Sequence, residues 1–189
     1  MEIEILIGIL SIIVAVGIAL IPYIKSKYFT RPELTCQIIY QNGMSTPIGV
    51  SPKTDTSKGY YEADTAIRIF ELTWKFELKI TNNSDQVAFY PEMQISPSGL
   101  KFTITEEFDK FKPIKETESI SLNCEYIKIE ETTGKDRTQI SNGFPEEIRN
   151  IDLLLSYRNK HKREFYTIFN FADKKNNNHF LKKRPKDYK

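Results

Sequence analysis

Near the N-terminus, twenty consecutive residues from Ile5 to Ile24 carry no charged side chain. As an α-helix rising about 1.5 Å per residue, this segment covers about 30 Å, the hydrocarbon thickness of a bilayer. A secretory signal has a basic start, a shorter apolar core and a small residue at its cleavage site. Here the start is acidic, with Glu2 and Glu4, and the apolar run is longer. We therefore expect an uncleaved transmembrane anchor over residues 1–24.

Basic residues follow this segment and none precedes it, which predicts how the chain is oriented. Lys25, Lys27 and Arg31 come directly after the apolar run. The positively charged flank of a membrane helix stays in the cytoplasm, so we expect a single-pass protein of the inner (plasma) membrane with its N-terminus outside. Residues 25–33 then form a juxtamembrane linker to a cytosolic domain. The residues expected at the membrane interface are Tyr23, Lys25, Lys27 and Tyr28.

Four small residues of the apolar segment follow a 3-4-4 spacing, namely Gly8, Ser11, Ala15 and Ala19. Residues at this spacing lie along one side of a helix. Small residues in such a row let two membrane helices approach closely, so this face predicts helix packing and a homo-oligomer in the bilayer. A helix rich in Gly, Ala and Ser also shows such a row by chance, and then the segment is only a tether.

After the linker, the hydrophobic pattern has a period of two rather than 3.6, which is typical of β-strands. The clearest example is IRIFELTWKFELKI at 67–80, in which apolar and polar residues alternate. Alternation and turn residues together predict about seven strands between residues 34 and 172, followed by a basic tail over 173–189. Strands with one apolar face favour an all-β antiparallel sandwich, with a small closed β-barrel as the alternative.

Three local features modify this pattern. The stretch from Asn42 to Tyr60 contains Asn-Gly, two prolines and several Ser and Thr residues, and it is interpreted as a long loop, whose order the pattern leaves open. A change of phase near Phe70 and Glu71 predicts either a β-bulge or a strand that crosses from one environment to another. Pro91 interrupts the apolar run Val87 to Ile95, which predicts an edge strand or a kink there.

The segment FELKITNNSDQVAFYPEMQI at 76–95 resembles a stretch common in immunoglobulin-like β-sandwich domains. In those domains an alternating strand ends in Asn-x-Ser and a second strand begins with a small residue. The resemblance implies an immunoglobulin-like fold, not a function. Cys36, Trp74 and Cys124 follow the order of the antibody-domain Cys-Trp-Cys set, but Leu122 stands where those domains have a tyrosine.

Residues that could carry catalysis or bind a metal are few. Small exported domains usually contain several disulfides, so two buried thiols in a reducing compartment are favoured for Cys36 and Cys124, with a disulfide between them as the alternative. Neither His161 nor His179 has a cysteine or carboxylate at metal-ligand spacing. Cys124 and His161 could pair as nucleophile and base, but Cys124 lies in an apolar row and is expected to be structural. We therefore expect no catalytic residue, no metal, no cofactor and no enzymatic activity.

Basic residues concentrate at the C-terminal end. Residues 158–189 hold eleven Lys and Arg against three carboxylates, whereas residues 1–157 carry a net charge of −6. Either an anion or a lipid headgroup is expected to bind to Arg158, Lys160, Lys162, Arg163, Lys182, Lys183 and Arg184. Three targets fit this cluster: the anionic inner leaflet, a phosphate-rich small molecule, and an acidic protein. Simple hydration of a basic turn fits as well, and nucleic acid is not expected.

These features predict a membrane-anchored cytosolic interaction or adaptor module without catalytic activity. The alternative is a ligand-gated membrane effector, whose β domain senses an anionic small molecule such as a cyclic nucleotide and oligomerises the membrane helix. In layout, this alternative is similar to small bacterial antiviral effectors, with which the chain shares no motif. A membrane-presented enzyme is the third and least favoured possibility.

Overall fold

The computed structural model of the chain describes residues 2–25, 30–55, 57, 59–60, 65–96, 102–106, 108–179 and 184. Helix α1 spans Glu2–Ile24. From Ile7 to Ile24 it is long and apolar enough to cross a membrane, and none of this stretch is buried against other described residues. The helix predicted from the sequence is therefore present, as a candidate membrane span or signal sequence.

Eight strands follow α1 in the described part of the chain. They are β1 (Leu34–Val50), β2 (Arg68–Asn82), β3 (Phe89–Ser96), β4 (Thr103–Ile104), β5 (Ser119–Thr132), β6 (Asp152–Arg158), β7 (Glu164–Asn170) and β8 (Lys175–His179). A short 3-10 helix (Ile140–Asn142) and helix α2 (Glu146–Arg149) separate β5 from β6. The pattern predicted about seven strands, and the additional one, β8, lies in the stretch that was expected to be a basic tail.

The strands form two antiparallel sheets of four strands each. The first sheet has the order β1-β2-β5-β4, and the second has the order β3-β6-β7-β8. Neither sheet closes on itself among the described residues, so the alternative of a small closed barrel is wrong. Side chains of both sheets belong to one hydrophobic core, and the arrangement is sandwich-like.

The core forms because apolar residues alternate along the central strands. In the first sheet, β2 buries Phe70, Leu72, Trp74, Phe76, Leu78 and Ile80. In the second sheet, β6 and β7 bury Leu153, Leu155, Tyr157, Phe165 and Phe169. Full burial of one such side chain contributes about 1.5–3 kcal/mol, so these two rows supply much of the driving force for folding. The indole Nε1 of Trp74 donates to the Gly143 carbonyl at 3.0 Å, which satisfies its only polar atom.

β1 is longer than the sequence pattern predicted. It continues through residues 42–50, for which the local pattern predicts a loop. Gly43 pairs with Trp74 in the β1–β2 ladder, and a Cβ at this position would overlap the side chain of Ile140. The glycine is therefore required by a tertiary contact within a strand, although Asn-Gly is a turn signal when only its neighbours in sequence are considered.

The predicted irregularities are present, although one lies on a different strand. β2 pairs with β5 without interruption, whereas the register of β1 shifts opposite Phe70. The extra residue therefore belongs to β1, not to β2. The edge position of the strand that contains Pro91 is confirmed: β3 is an edge strand, and its register with β6 shifts between Phe89 and Glu92.

Side chains of the second sheet hold the first residues of β1. The Asn176 amide donates to the Cys36 carbonyl at 2.9 Å, and its oxygen accepts the Cys36 N–H at 2.7 Å. Thr167 Oγ1 donates to the Leu34 carbonyl at 2.8 Å, and the Tyr157 hydroxyl accepts the Leu34 N–H at 3.4 Å. The chain is thus tied to both sheets as soon as β1 begins.

Cys36 and Cys124 are free thiols, and each is only 3% exposed. They lie in β1 and β5, on either side of β2 in the first sheet, and so do not connect the two sheets as the antibody-domain disulfide does. Burial raises the pKa of both thiols, that of Cys124 to about 12. The prediction of two buried thiols is confirmed, and the reducing compartment stays a prediction.

Candidate anion-binding site

Polar residues of three strands meet on the outer face of the second sheet. In the β6–β7 ladder, Arg158 lies opposite Glu164 and Ser156 lies opposite Tyr166. On the other side of β6, Glu92 of β3 lies opposite Ser156. Side chains alternate between the two faces of a strand, so these five residues share the face that points away from the core.

β3 is distorted where it borders this face. Tyr90 lies inside the register shift and has a φ of 50°, in the left-handed region that side-chain-bearing residues seldom adopt. Its side chain is 52% exposed. Bulges redirect side chains and are frequent next to functional sites, where local strain is retained. Here the bulge presents an aromatic ring at the rim of a cavity.

The cavity has a volume of about 240 Å³. Three cationic residues line it, together with two carboxylates and several aromatic rings. The cations are Lys110, Arg158 and Arg184, and the carboxylates are Glu92 and Glu164. Ligand pockets usually begin at about 300 Å³, so this cavity fits a small anionic group rather than a whole drug-sized molecule.

Arg158, Glu164 and Tyr166 form a hydrogen-bonded network along one wall. Arg158 Nη2 and Nε donate to Glu164 Oε1 at 2.6 and 3.1 Å, and the Tyr166 hydroxyl donates to Glu164 Oε2 at 2.7 Å. The bonds from Tyr166 and Arg158 lower the pKa of the Glu164 carboxyl, and burial raises the pKa of Tyr166. Both ion-pair side chains are 47% exposed, so the pair is worth at most about 1 kcal/mol and a competing anion can recruit Arg158.

Arg184 contributes the most unusual atoms of the cavity. Its Nε and Nη2 are buried and have no hydrogen-bond partner among the described residues. Its charge also helps to lower the pKa of Glu164. A buried donor without an acceptor costs about 1–3 kcal/mol, and more when it is charged. Such groups are rare in folded proteins and call for an acceptor, which an anion in the cavity would supply.

Two exposed aromatic rings are among the residues that line the cavity. Phe111 is 70% exposed, more than is usual for a phenylalanine, and Lys110 Nζ lies 5.2 Å from the centre of its ring. Tyr90 is the second exposed ring. Aromatic faces of this kind stack against planar groups such as nucleobases. The arrangement can therefore hold an anion inside the cavity and a planar group outside it.

The structure brings two of the seven predicted basic residues, Arg158 and Arg184, to this cavity. Three more, Lys160, Lys162 and Arg163, lie in the turn between β6 and β7. Lys182 and Lys183 lie outside the described residues. The sequence did not predict three further lining residues, Lys110, Tyr90 and Phe111, because they come close to β6 only in the tertiary structure. The only local signal for the loop was an aromatic residue between two lysines, at 110–112.

The residues predicted to act in the membrane lie on or just after α1. Tyr23 and Lys25 are at its C-terminal end, whereas Lys27 and Tyr28 lie outside the described residues. Because α1 is helical throughout, Gly8, Ser11, Ala15 and Ala19 fall within about 80° of one another around its axis. The Ser11 hydroxyl donates to the Gly8 carbonyl at 2.8 Å, so it does not interrupt this face. Packing of the face against another helix stays a prediction.

Among the described residues, no three His, Cys, Asp or Glu side chains are placed together as metal ligands. Cys124 is buried in the core, whereas His161 is exposed in the β6–β7 turn.

No protein-family model matches the chain, and no curated protein or solved structure matches it significantly.

Proposed function

We propose that the chain is a single-pass membrane protein whose cytosolic β domain binds a small anionic molecule. The observation that carries this proposal is the pair of buried Arg184 nitrogens that have no hydrogen-bond partner among the described residues, in a cavity that also contains Arg158 and Lys110. A guanidinium fork matches the oxygens of a phosphate or carboxylate with two parallel hydrogen bonds. Arg184 is therefore the primary anion contact, and Arg158 becomes the second when the anion competes with Glu164.

The ligand class follows from the shape of the site. A phosphate group fits within the cavity, and the rings of Tyr90 and Phe111 at its mouth offer flat surfaces to a base. Glu92 on the wall disfavours a second, densely charged group next to the first. These features favour a nucleoside phosphate of low charge, including cyclic nucleotides, over a polyphosphate.

The fold of the domain is proposed to be immunoglobulin-like. The strand orders β1-β2-β5-β4 and β3-β6-β7 correspond to the A-B-E-D and C-F-G sheets of constant-type immunoglobulin sandwiches, with β8 added next to the last strand. The site then lies on the outer face of the C-F-G sheet, and the loop between β4 and β5 contributes Lys110 and Phe111 to it.

Helix α1 is proposed to span the inner membrane with its N-terminus outside, because Lys25 and the basic residues that follow lie on the domain side. The strands that carry the site also hold the start of β1. Tyr157 and Thr167 contact Leu34 from the inner face of β6 and β7, next to the cavity residues Arg158 and Tyr166. This connection favours a ligand-gated effector, in which binding changes how α1 associates.

An adaptor role toward another protein is the second proposal. It is favoured by an exposed aliphatic strip on the outer face of the first sheet, where Met44, Ile127 and Ile129 are each about half exposed. Met44 and Ile127 lie in the same row of the ladder, on either side of Thr73. A protein partner with an apolar surface would cover this strip without involving the cavity.

The test is ligand binding by the full-length protein in detergent. Thermal unfolding and titration calorimetry would compare inorganic phosphate, nucleoside monophosphates, cyclic nucleotides and a polyphosphate. We expect a nucleoside phosphate to raise the melting temperature, and Arg184→Gln to weaken its binding about 10- to 100-fold, since a hydrogen bond to a charged group contributes about 1.5–3 kcal/mol.

A matched pair of variants provides the control. Lys110→Gln removes a cation that lines the cavity, whereas Lys112→Gln removes an exposed one from the same loop that does not line it. Only Lys110→Gln should weaken binding. Equal effects of these two variants would contradict the site, and failure of every anion to bind would favour the adaptor role.

A further inference from the structure

The basic turn between β6 and β7 is attached to the juxtamembrane linker. The Asn159 side-chain amide donates to the Thr30 carbonyl at 3.4 Å. The Thr30 N–H in turn donates to the Lys25 carbonyl at 3.1 Å, directly after α1 ends at Ile24. The turn is therefore connected to the end of the helix by two hydrogen bonds, both of which involve Thr30.

Asn159 also sets the conformation of the turn. Its side-chain oxygen accepts the backbone N–H groups of His161 and Arg163 at 2.9 and 3.1 Å. Its backbone N–H donates to the Arg163 carbonyl at 3.0 Å, and its carbonyl accepts the Lys162 N–H at 2.9 Å. Asn159 itself is only 4% exposed, while Lys160, His161 and Lys162 are exposed. These hydrogen bonds fix the backbone of the turn, and Lys160 and Lys162 are exposed on it, next to the linker.

We infer that this turn docks on acidic lipid headgroups of the leaflet next to α1. The inference rests on α1 crossing the membrane, but not on the ligand of the cavity. The headgroup layer of a bilayer extends about 5–8 Å beyond the hydrocarbon on each side. A turn joined to Lys25 through Thr30 lies at about that depth, so lipid phosphates are the anions closest to Lys160 and Lys162. Arg158 is not needed for docking, because it pairs with Glu164 across the β6–β7 ladder.

The inference can be tested on the full chain in lipid nanodiscs. A polarity-sensitive fluorophore would be attached after His161→Cys; Cys36 and Cys124 are buried, so labelling is directed to the turn. Nanodiscs of neutral phosphatidylcholine would be compared with nanodiscs that also contain acidic phosphatidylglycerol, each with a headgroup-attached quencher. We expect strong quenching only in the acidic nanodiscs, and its loss at high salt, where charges are screened within about 3 Å.

Two lysine variants give the decisive comparison. Lys162 has a φ of 61° and Lys174 a φ of 52°, and asparagine tolerates this conformation better than most residues. Both lysines are exposed in hairpin turns, but Lys174 lies at the opposite end of β7, roughly 20 Å away. Lys162→Asn should lower the docked-to-free ratio about fivefold, the value expected for one basic residue at an acidic surface, and Lys174→Asn should leave the ratio unchanged.

Four results would overturn the inference. One is equal quenching in neutral and acidic nanodiscs, and another is an equal effect of the two lysine variants. The third is release of the turn by inorganic phosphate at constant ionic strength, which would make it a site for a free anion. A chain that does not enter nanodiscs would refute the anchor and with it the docking. Ligand binding in detergent tests the cavity separately, so the two failures are distinguishable.

Discussion

Tyr157→Phe is expected to destabilise the domain, because it removes a hydroxyl group through which β6 of the second sheet is hydrogen-bonded to β1 of the first. That hydroxyl accepts the Leu34 N–H at 3.4 Å and shares a hydrogen bond with Thr167 Oγ1 at 3.0 Å. Tyr157 is 1% exposed, so water does not replace the lost partner. The aromatic ring is retained, and core packing should stay as it is.

The expected loss of stability is about 2 kcal/mol. One net hydrogen bond contributes about 0.5–1.5 kcal/mol, and a buried N–H without a partner adds about 1–3 kcal/mol. The distance of 3.4 Å between the Leu34 nitrogen and the Tyr157 hydroxyl is long, so the loss from the unpartnered N–H should be about 1 kcal/mol. A domain of about 150 residues loses about 2–4 °C per kcal/mol, so the melting temperature should fall by about 4–8 °C.

Burial raises the pKa of Tyr157, so its contribution to stability depends on pH in a defined direction. The folded pKa lies above the unfolded value of about 10, so the contribution is complete below about pH 10 and is lost as the pH rises further. The difference in stability between the wild-type protein and the phenylalanine variant should therefore narrow in strongly alkaline solution.

The assay is urea unfolding of the full chain in detergent, followed by the fluorescence of the single, fully buried Trp74. Tyr166→Phe is the matched control: its hydroxyl bonds to Glu164, whose side chain is 47% exposed, so water can take over the bond. We expect Tyr166→Phe to lower the free energy of unfolding by less than about 1 kcal/mol. A cost below about 0.5 kcal/mol for Tyr157→Phe, or equal costs for both variants, would refute the reasoning.

Three further predictions concern buried polar and ionisable groups. Cys36 and Cys124 should resist iodoacetamide near neutral pH in the folded protein, because burial raises the pKa of both thiols; rapid labelling seen by mass spectrometry would contradict this. Since both folded pKa values exceed the unfolded value of about 8.5, stability should also decline as the pH rises above about 8.5. Asn82→Ala should lower the free energy of unfolding by about 3 kcal/mol in urea, because the two N–H bonds of this fully buried amide are shared by three backbone carbonyls at 2.7–3.1 Å from its nitrogen. Asn83→Ala provides the comparison. Asn83 is exposed and makes one side-chain hydrogen bond at 2.8 Å, so this variant should lower the free energy of unfolding by less than about 1 kcal/mol.

The sequence alone determined the features that depend on neighbouring residues. A run of twenty uncharged, mostly apolar residues has the length and composition of a membrane-spanning helix, and this is why α1 was predictable from composition. Alternation with a period of two specifies β2 and the inner faces of β5, β6 and β7, because a slip of one residue would expose the apolar set. Pro91 cannot donate a hydrogen bond to a neighbouring strand, and this is why the edge position of β3 was predictable.

Only the tertiary structure decided which distant residues meet. β8 has a polar sequence, Lys175–His179, and is ordered by pairing with β7 and by the bonds between Asn176 and Cys36. Arg158 and Arg184 were predicted as a charge cluster, but the cavity that joins them to Lys110 and Tyr90 requires the bulge of β3 and the packing of a loop. The contact between Asn159 and Thr30 spans 129 residues. No local pattern encodes such contacts, because they form only when the sheets assemble around the common core.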